Sequence, residues 1–178
     1  RAGLGVSLLA QNTCFGISAL AGVNSGSGGC TAVGYEALKV NTSGAFNTAV
    51  GRNCLVANTI GGSNTAMGNS ALSTNISGSQ CAAFGFNALG ASTASDNTAV
   101  GWWALAAASS GTENTAMGKE SGLTLSTSSF NTSFGSQSLK LMTGNSNCSF
   151  GRASLFSGTT GDGNNAFGRS ALEATTGG

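Results

Sequence analysis

The sequence predicts an all-β chain that folds as a parallel β-solenoid with coils of about 17 residues. Three observations predict this fold class. A glycine recurs at nearly constant spacing, the residues before it alternate between small and large, and further glycines recur between these points. A repeat built from two helices needs about 33 residues or more, whereas this period suits two short strands and two turns.

The recurring glycine is called here the anchor glycine of its coil. The ten anchors are Gly16, Gly34, Gly51, Gly68, Gly85, Gly101, Gly118, Gly135, Gly151 and Gly168. Successive anchors are 16, 17 or 18 residues apart. Residues 12–178 are therefore predicted to form an array of ten solenoid repeats within a longer chain, and residues 1–11 a partial repeat at the N-terminal edge.

Each coil places the same kinds of side chain at the same distance from its anchor glycine. The asparagine, threonine, alanine and bulky columns lie four, three, two and one residues before the anchor, and the leucine column lies four residues after it. Coils stacked about 4.8 Å apart turn these columns into ladders. The predicted scaffold ladders include Asn47, Asn64, Asn97 and Asn114, then Val50, Met67, Phe84 and Val100, and finally Leu55, Leu72, Leu89 and Leu105.

The alternation before the anchor also predicts which side chains face the core. The bulky and threonine columns share one side of the strand, so we expect both to point inward and the alanine column to point outward. Gly122 breaks the leucine column, with Leu123 beside it. A second set of glycines, ten residues after the anchor, predicts another turn that needs a positive φ angle. This set comprises Gly26, Gly44, Gly61, Gly78, Gly111, Gly161 and Gly178.

The composition restricts the classes of function. Only 7% of the residues are charged, the formal net charge is +1, and histidine is absent. This balance offers no basic face for nucleic acid, and no apolar run approaches the ~18 residues of a membrane span. The five cysteines show no metal-ligand spacing, so we expect free, buried thiols. We predict no metal, no cofactor, no nucleic-acid partner and no membrane insertion.

Two acidic residues raise the question of catalysis. Asp96 and Glu113 occupy the same place, five residues before successive anchors. Their expected spacing of about 5 Å matches the carboxylate gap of a retaining glycosidase. The pair lies on a predicted turn without supporting side chains, however, and the chain has no histidine to activate a serine or threonine. We therefore interpret both as solvated charges and predict no catalytic residue.

The residues directly after the anchor glycine vary between coils, which indicates that they face outward. Tyr35, Phe86 and Trp102 share one such place, and Trp103 follows Trp102. Exposed aromatic side chains can stack on sugar rings or anchor a protein partner. These four residues are the candidate ligand contacts, and packing on neighbouring coils or between subunits is the alternative.

The repeated phrase, as it stands in residues 47–55 and 97–105, resembles repeats in fibre proteins of bacteriophages and large viruses. It is also similar to the shorter repeats in the heads of trimeric autotransporter adhesins. The resemblance covers residues 12–178. It implies a left-handed parallel β-roll, three chains around one axis, and a role in attachment to cells.

The residues themselves also favour self-association. Each coil offers only two dependable large apolar side chains, a thin core against the backbone entropy of 17 residues. We therefore expect part of each coil to face another copy.

The functional prediction is a non-enzymatic segment of a homotrimeric viral fibre at a virion surface. It would attach to a host glycan or protein, or act as a shaft that presents a receptor-binding tip. The free cysteines favour a virion assembled in a reducing cytosol. The alternative is a bacterial cell-surface adhesin head or a self-stacking extracellular filament. A lesser alternative is an ice-binding solenoid, which the expected inward direction of the threonine column disfavours.

Overall fold

The computed structural model describes residues 4–6, 11–22, 27–157 and 160–174. In this part of the chain every regular element is a β-strand, and there is no helix. In chain order the strands β1 to β11 are Leu4–Val6, Thr13–Phe15, Thr31–Val33, Thr48–Val50, Thr65–Met67, Ala82–Phe84, Thr98–Val100, Thr115–Met117, Thr132–Phe134, Cys148–Phe150 and Asn165–Phe167. All of them belong to one sheet, in which each strand lies beside its neighbours in the sequence.

Strands β2 to β11 are parallel, and equivalent residues of successive coils lie side by side. Residues 48–50, for example, pair in order with residues 65–67. The chain makes about nine turns of a β-solenoid with coils of about 17 residues, which confirms the predicted fold class. β1 differs because it runs antiparallel to β2, with Leu4 opposite Phe15. The left-handed sense and the three-chain assembly stay predictions.

Each described coil contains one three-residue strand, not the two that were predicted. Residues on the return side adopt positive φ angles that interrupt a strand, such as 54° at Asn53 and 51° at Leu55. Hydrogen bonds between coils nevertheless continue there, as from the Leu55 nitrogen to the Ala71 oxygen at 3.0 Å. The coils are therefore joined on the return side without a second regular strand.

The core is a narrow column of leucines and small side chains. Its fully buried leucines are Leu38, Leu55, Leu72, Leu89, Leu105, Leu139 and Leu155. The alanine column faces them, with Ala32, Ala49, Ala66, Ala83 and Ala99 fully buried. Because interiors are packed to crystal-like density, the space beside each leucine admits only a small residue.

The predicted direction of the strand side chains is wrong. The alanine column points into the core, and the threonine and bulky columns point outward. Met67 and Phe84 are exposed, and Val50 and Val100 are half-buried. The leucine from the return side already fills the coil, so a second large side chain from the strand has no room inside.

The two sets of glycines meet different requirements. Anchor glycines adopt φ angles between 121° and 142°, and a Cβ atom on Gly51 would lie 2.5 Å from the Gly68 oxygen. The second set has no positive φ angle where it is described at Gly44, Gly61, Gly78 and Gly111. Those glycines are required by close packing instead, since a Cβ atom on Gly78 would lie 2.5 Å from Asn75 Oδ1. Gly26 and Gly178 lie outside the described residues.

Gly122 interrupts the leucine column, and Leu125 restores the lost volume. Leu125 is buried, whereas Leu123 is only half-buried. A Cβ atom on Gly122 would lie 2.9 Å from Leu105 Cδ2 and 3.0 Å from Leu125 Cδ1. The leucine three residues later, and not the adjacent one, therefore fills this part of the core.

Buried asparagines close each coil and join it to the next. Asn47 Nδ2 donates to the Gly61 oxygen at 2.8 Å, across the ends of its own coil. Asn47 Oδ1 accepts the backbone N–H of Asn64 at 3.0 Å, in the following coil. Asn64, Asn97 and Asn114 repeat both bonds. Satisfied buried amides of this kind fix the register of the stack.

A second amide ladder runs through the core of the earlier coils. Asn58 Nδ2 donates to Asn41 Oδ1 at 2.7 Å, and Asn75 Nδ2 donates to Asn58 Oδ1 at 3.0 Å. Ser92 occupies the equivalent buried place in the next coil, followed by Ala108. This second ladder of amides therefore extends only over the coils of Asn41, Asn58 and Asn75.

None of the cysteines forms a disulfide bond in the part of the chain that the structure describes. Cys30, Cys54 and Cys81 are buried, and Cys14 and Cys148 are half-buried. Burial raises the pKa of Cys54 to about 12, which disfavours the reactive thiolate.

We expect Asn114→Ala to lower the free energy of unfolding by roughly 1–3 kcal/mol, because it leaves the Asn131 N–H and the Ser128 carbonyl without their partner. Urea denaturation followed by circular dichroism measures this change. The control is Asn69→Ala, which removes an exposed asparagine and should change stability by less than about 0.5 kcal/mol. Equal effects of the two substitutions would contradict the role of the ladder.

Candidate functional site

The outward side of the parallel sheet is a regular surface formed by ten strands, and we call it the strand face. It consists of the threonine and bulky columns of strands β2 to β11. Five members of the bulky column are exposed: Phe15 by 61%, Met67 by 46%, Phe84 by 36%, Met117 by 43% and Phe167 by 69%. The apolar column therefore continues along the whole described array.

The strand face carries no charge in any of the ten coils. Its threonine column contains threonine, alanine, cysteine and asparagine, and its bulky column contains valine, methionine and phenylalanine. Nine spacings of about 4.8 Å between the ten parallel strands give it a length of about 43 Å. Uncharged, extended and partly apolar surfaces of this kind are typical of interfaces.

The phenylalanines at the C-terminal end of the strand face stack on one another. The Phe134 and Phe150 ring centroids are 4.9 Å apart with planes 3° apart. The Phe150 and Phe167 centroids are 5.2 Å apart with planes 4° apart. This ladder holds the rings in a fixed orientation, which lowers the entropy cost of covering them.

Threonine hydroxyls behave differently on two sides of the rod. Thr42 and Thr59 lie four residues after the leucine column, away from the strand face. Their Oγ1 atoms donate hydrogen bonds to carbonyl oxygens of the next coil, at 2.9 and 3.0 Å. On the strand face, the hydroxyls of Thr48, Thr65 and Thr98 form no hydrogen bond with any described residue. The strand-face hydroxyls are therefore available to water or to a partner.

The structure brings three of the four candidate ligand contacts together. The Phe86 and Trp102 ring centroids are 6.3 Å apart with planes 16° apart, and the Trp102 and Trp103 centroids are 5.4 Å apart. Tyr35 lies apart from this cluster, with Arg52 Cζ 5.9 Å from its ring centroid. All four aromatic side chains are exposed.

The Trp102 ring is contacted from both neighbouring coils. Phe86, from the preceding coil, stacks on it, and Lys119 Nζ, from the following coil, lies 5.1 Å from its centroid. A sugar ring binds an aromatic side chain through an open ring face. The cluster therefore joins three successive coils, and Trp102, Trp103 and Tyr35 are exposed to a similar extent.

An ion-pair network adjoins this cluster, and the sequence did not indicate it. Lys140 Nζ lies 2.7 Å from Glu120 Oε2, and Gln137 Nε2 donates to the same oxygen at 3.1 Å. These hydrogen bonds hold the pKa of Glu120 below its ordinary value. The network joins residues at different places in two coils, so the column periodicity gives no signal for it.

The two acids considered for catalysis lie on an exposed corner. Asp96 and Glu113 are both exposed, with φ angles of 62° and 58°, each one residue before a buried asparagine. Among the described residues no group of three or more cysteine, aspartate or glutamate side chains could hold a metal ion. The corner thus presents two exposed carboxylates that form no ion pair among the described residues.

Comparison with known protein families, curated proteins and solved structures found no match for this chain. In the part of the chain that the structure describes, no helix is long and apolar enough to cross a membrane.

The Glu120 network should make the thermal stability of the fold decrease at low pH. Because the folded-state pKa of Glu120 is lowered, the stabilisation is complete above the ordinary value of 4.5 and is lost as the pH falls through the lower folded-state value. We expect the melting temperature of the wild type to fall more steeply below pH 4.5 than that of Glu120→Gln. The control Glu173→Gln removes an exposed carboxylate that has no described ion pair, and it should keep the wild-type slope. Parallel curves for the wild type and Glu120→Gln would exclude this contribution.

Proposed function

We propose that the chain is a structural, non-enzymatic segment of a fibre, and that it associates with copies of itself through the strand face as a homotrimer. The observation that carries the proposal is the outward bulky column, which exposes Phe15, Met67, Phe84, Met117 and Phe167 along a face without charge. Monomeric soluble proteins rarely leave an apolar surface of this extent uncovered. A second copy supplies a cover of the same length.

The trimer and the biological setting rest on the sequence resemblance together with this face. Three flat faces can close around a common long axis, and each copy then covers part of the next. We place the assembly at a virion surface, as a shaft or as an attachment element for a host glycan or protein. A bacterial cell-surface adhesin head or a self-stacking extracellular filament is the alternative, because the same strand face serves all of them.

Ice binding is a second candidate that one specific observation favours. The strand-face hydroxyls of Thr48, Thr65 and Thr98 point outward and form no hydrogen bond with a described residue. The expected inward direction of the threonine column, which disfavoured ice binding, is therefore wrong. Regular hydroxyls about 4.8 Å apart can order water. The neighbouring bulky column varies from valine to phenylalanine, however, so the face is less even than a water lattice requires.

Self-association through the strand face is tested by a matched pair of substitutions. We expect Met67→Glu to weaken the association constant by at least a hundredfold, because it places an unpaired charge at the centre of the covered face. Ile60→Glu is the control: Ile60 is 60% exposed in the neighbouring turn, outside the strand face, and its replacement should leave assembly unchanged. Sedimentation equilibrium measures the masses. A wild-type chain that is folded and monomeric, or equal effects of the two substitutions, would contradict the proposal.

The ice-binding candidate is tested by thermal hysteresis. If the wild type shows hysteresis, Thr65→Tyr and Thr98→Tyr should reduce it severalfold, because a large ring interrupts the hydroxyl row. Ser110→Tyr, at an exposed place off the strand face, should leave it unchanged. No hysteresis in the wild type removes this candidate.

A further inference from the structure

Charged residues border the strand face on both of its long edges, and their signs differ. Asp96, Glu113 and Asp162 precede strands β7, β8 and β11, and all three are exposed. We call this edge the acidic rim. The opposite edge, the basic rim, is the place directly after the anchor glycine, where Arg52, Lys119, Arg152 and Arg169 lie. The residues one and two places before the asparagine column include no cation, and the basic-rim place includes no acid.

The rims do not neutralise each other within one chain. Glu113 and Lys119 lie on opposite sides of strand β8, and no ion pair among the described residues joins the two rims. The ion pairs of the described residues involve Glu36 and Glu120, which lie one residue beyond the basic rim. Glu36 is paired with Lys39, and Glu120 is paired with Lys140 at 2.7 Å and with Lys119 of the basic rim at 3.9 Å. Arg52, Arg152 and Arg169 form no ion pair among the described residues, so the basic rim stays positive.

The acidic rim has no cation of its own among the described residues. Asp162 accepts hydrogen bonds only from the backbone and side-chain nitrogens of Asn145, and neither Asp96 nor Glu113 is in an ion pair. Exposed charges separated by more than about 8–10 Å are largely screened at physiological salt. The charge of each rim is therefore available to a molecule that contacts that edge of the strand face.

The symmetry of the assembly decides which rims meet. When copies run parallel around a common long axis, the acidic rim of one copy lies beside the basic rim of the next. When two copies pack face to face in antiparallel orientation, the acidic rim lies beside the other acidic rim. Like charges placed together are unfavourable, and opposite charges select orientation even when each pair contributes little to affinity.

In the parallel arrangement an acid and a cation coincide at two levels along the rod, those of β8 and β11. Glu113 and Lys119 flank the same strand, β8, and Asp162 and Arg169 flank β11. If copies lie in register, Glu113 therefore meets Lys119 of the neighbour at one level. Asp162 meets Arg169 of the neighbour three strands further along.

We propose that copies of this chain associate in parallel and in register, with the acidic rim of one copy paired to the basic rim of the next. The pairs are Glu113 with Lys119 and Asp162 with Arg169 of the neighbouring copy. This inference rests on the proposed self-association through the strand face and adds its orientation and its edge contacts. It holds for any number of copies around the long axis.

Orientation is tested by cross-linking at one chosen level. Cys148 lies in the threonine column of the strand face, so the background carries Cys148→Ser. Val50→Cys, in β4, should cross-link to itself through a short bifunctional maleimide, because parallel copies bring equal levels together. An antiparallel stack of β2 to β11 would place β4 against β9. Val50→Cys would then cross-link only to Phe134→Cys when the two variants are mixed, and that result overturns the proposal.

The rim pairs are tested by exchanging charges. We expect Glu113→Lys to weaken association about tenfold by placing like charges together at each rim. The double variant Glu113→Lys with Lys119→Glu should return to within about threefold of the wild type, because the pair is rebuilt with reversed signs. Glu173→Lys is the control, since it makes the same change of net charge at an exposed place off both rims. Equal weakening by Glu113→Lys and Glu173→Lys would overturn the rim pairing.

The outcomes separate the two levels of the proposal. A folded wild-type chain with monomeric mass and no cross-link refutes self-association, and the orientation with it. A multimeric mass with antiparallel cross-links leaves self-association in place and refutes the orientation alone. A multimeric mass with self cross-links and charge-swap recovery supports both.

Discussion

The narrow interior of the coil is the constraint on which the rest of the structure depends. Each turn admits one leucine from the return side, such as Leu55, and a small residue from the strand, such as Ala49, both fully buried. Beside them lie buried asparagines, whose amides bond to the coil ends and to the next coil, and small residues such as Cys54 and Ser138. Such a core contains little apolar volume per residue, so hydrogen bonds contribute much of its order.

The same constraint determines the outer surface. Because the core has no room for Met67 or Phe84, these side chains lie outside, where they form an apolar column one strand spacing apart. A surface place that varies only among valine, methionine and phenylalanine supports the proposed packing against further copies. The outward column and the thin core therefore have one physical cause, and covering the strand face with further copies would compensate for the small interior.

The coil period, the anchor glycines and the buried leucines could be predicted from the sequence, because repetition at a fixed interval reports directly on stacking. The side of the strand that faces the core could not be predicted. Alternation shows that Thr48 and Val50 share a side, but which side faces the core depends on the space that the return-side leucine, such as Leu55, leaves inside the coil. The exposure of the aromatic residues could be predicted, because their places vary between coils. The contacts of Trp102 with Lys119 and of Glu120 with Lys140 could not, because they join different coils through side-chain geometry.

The most direct test of the central claim uses the three methionines of the chain as internal probes of burial. Met67 and Met117 lie on the strand face, and Met142 is fully buried in the core. Peroxide oxidation followed by mass spectrometry measures the rate at each site, at concentrations above and below assembly. The account predicts that all three are protected in the assembly and that only Met67 and Met117 oxidise rapidly on dilution. Rapid oxidation of Met142 in the folded chain, or unprotected Met67 and Met117 in a multimer, would contradict it.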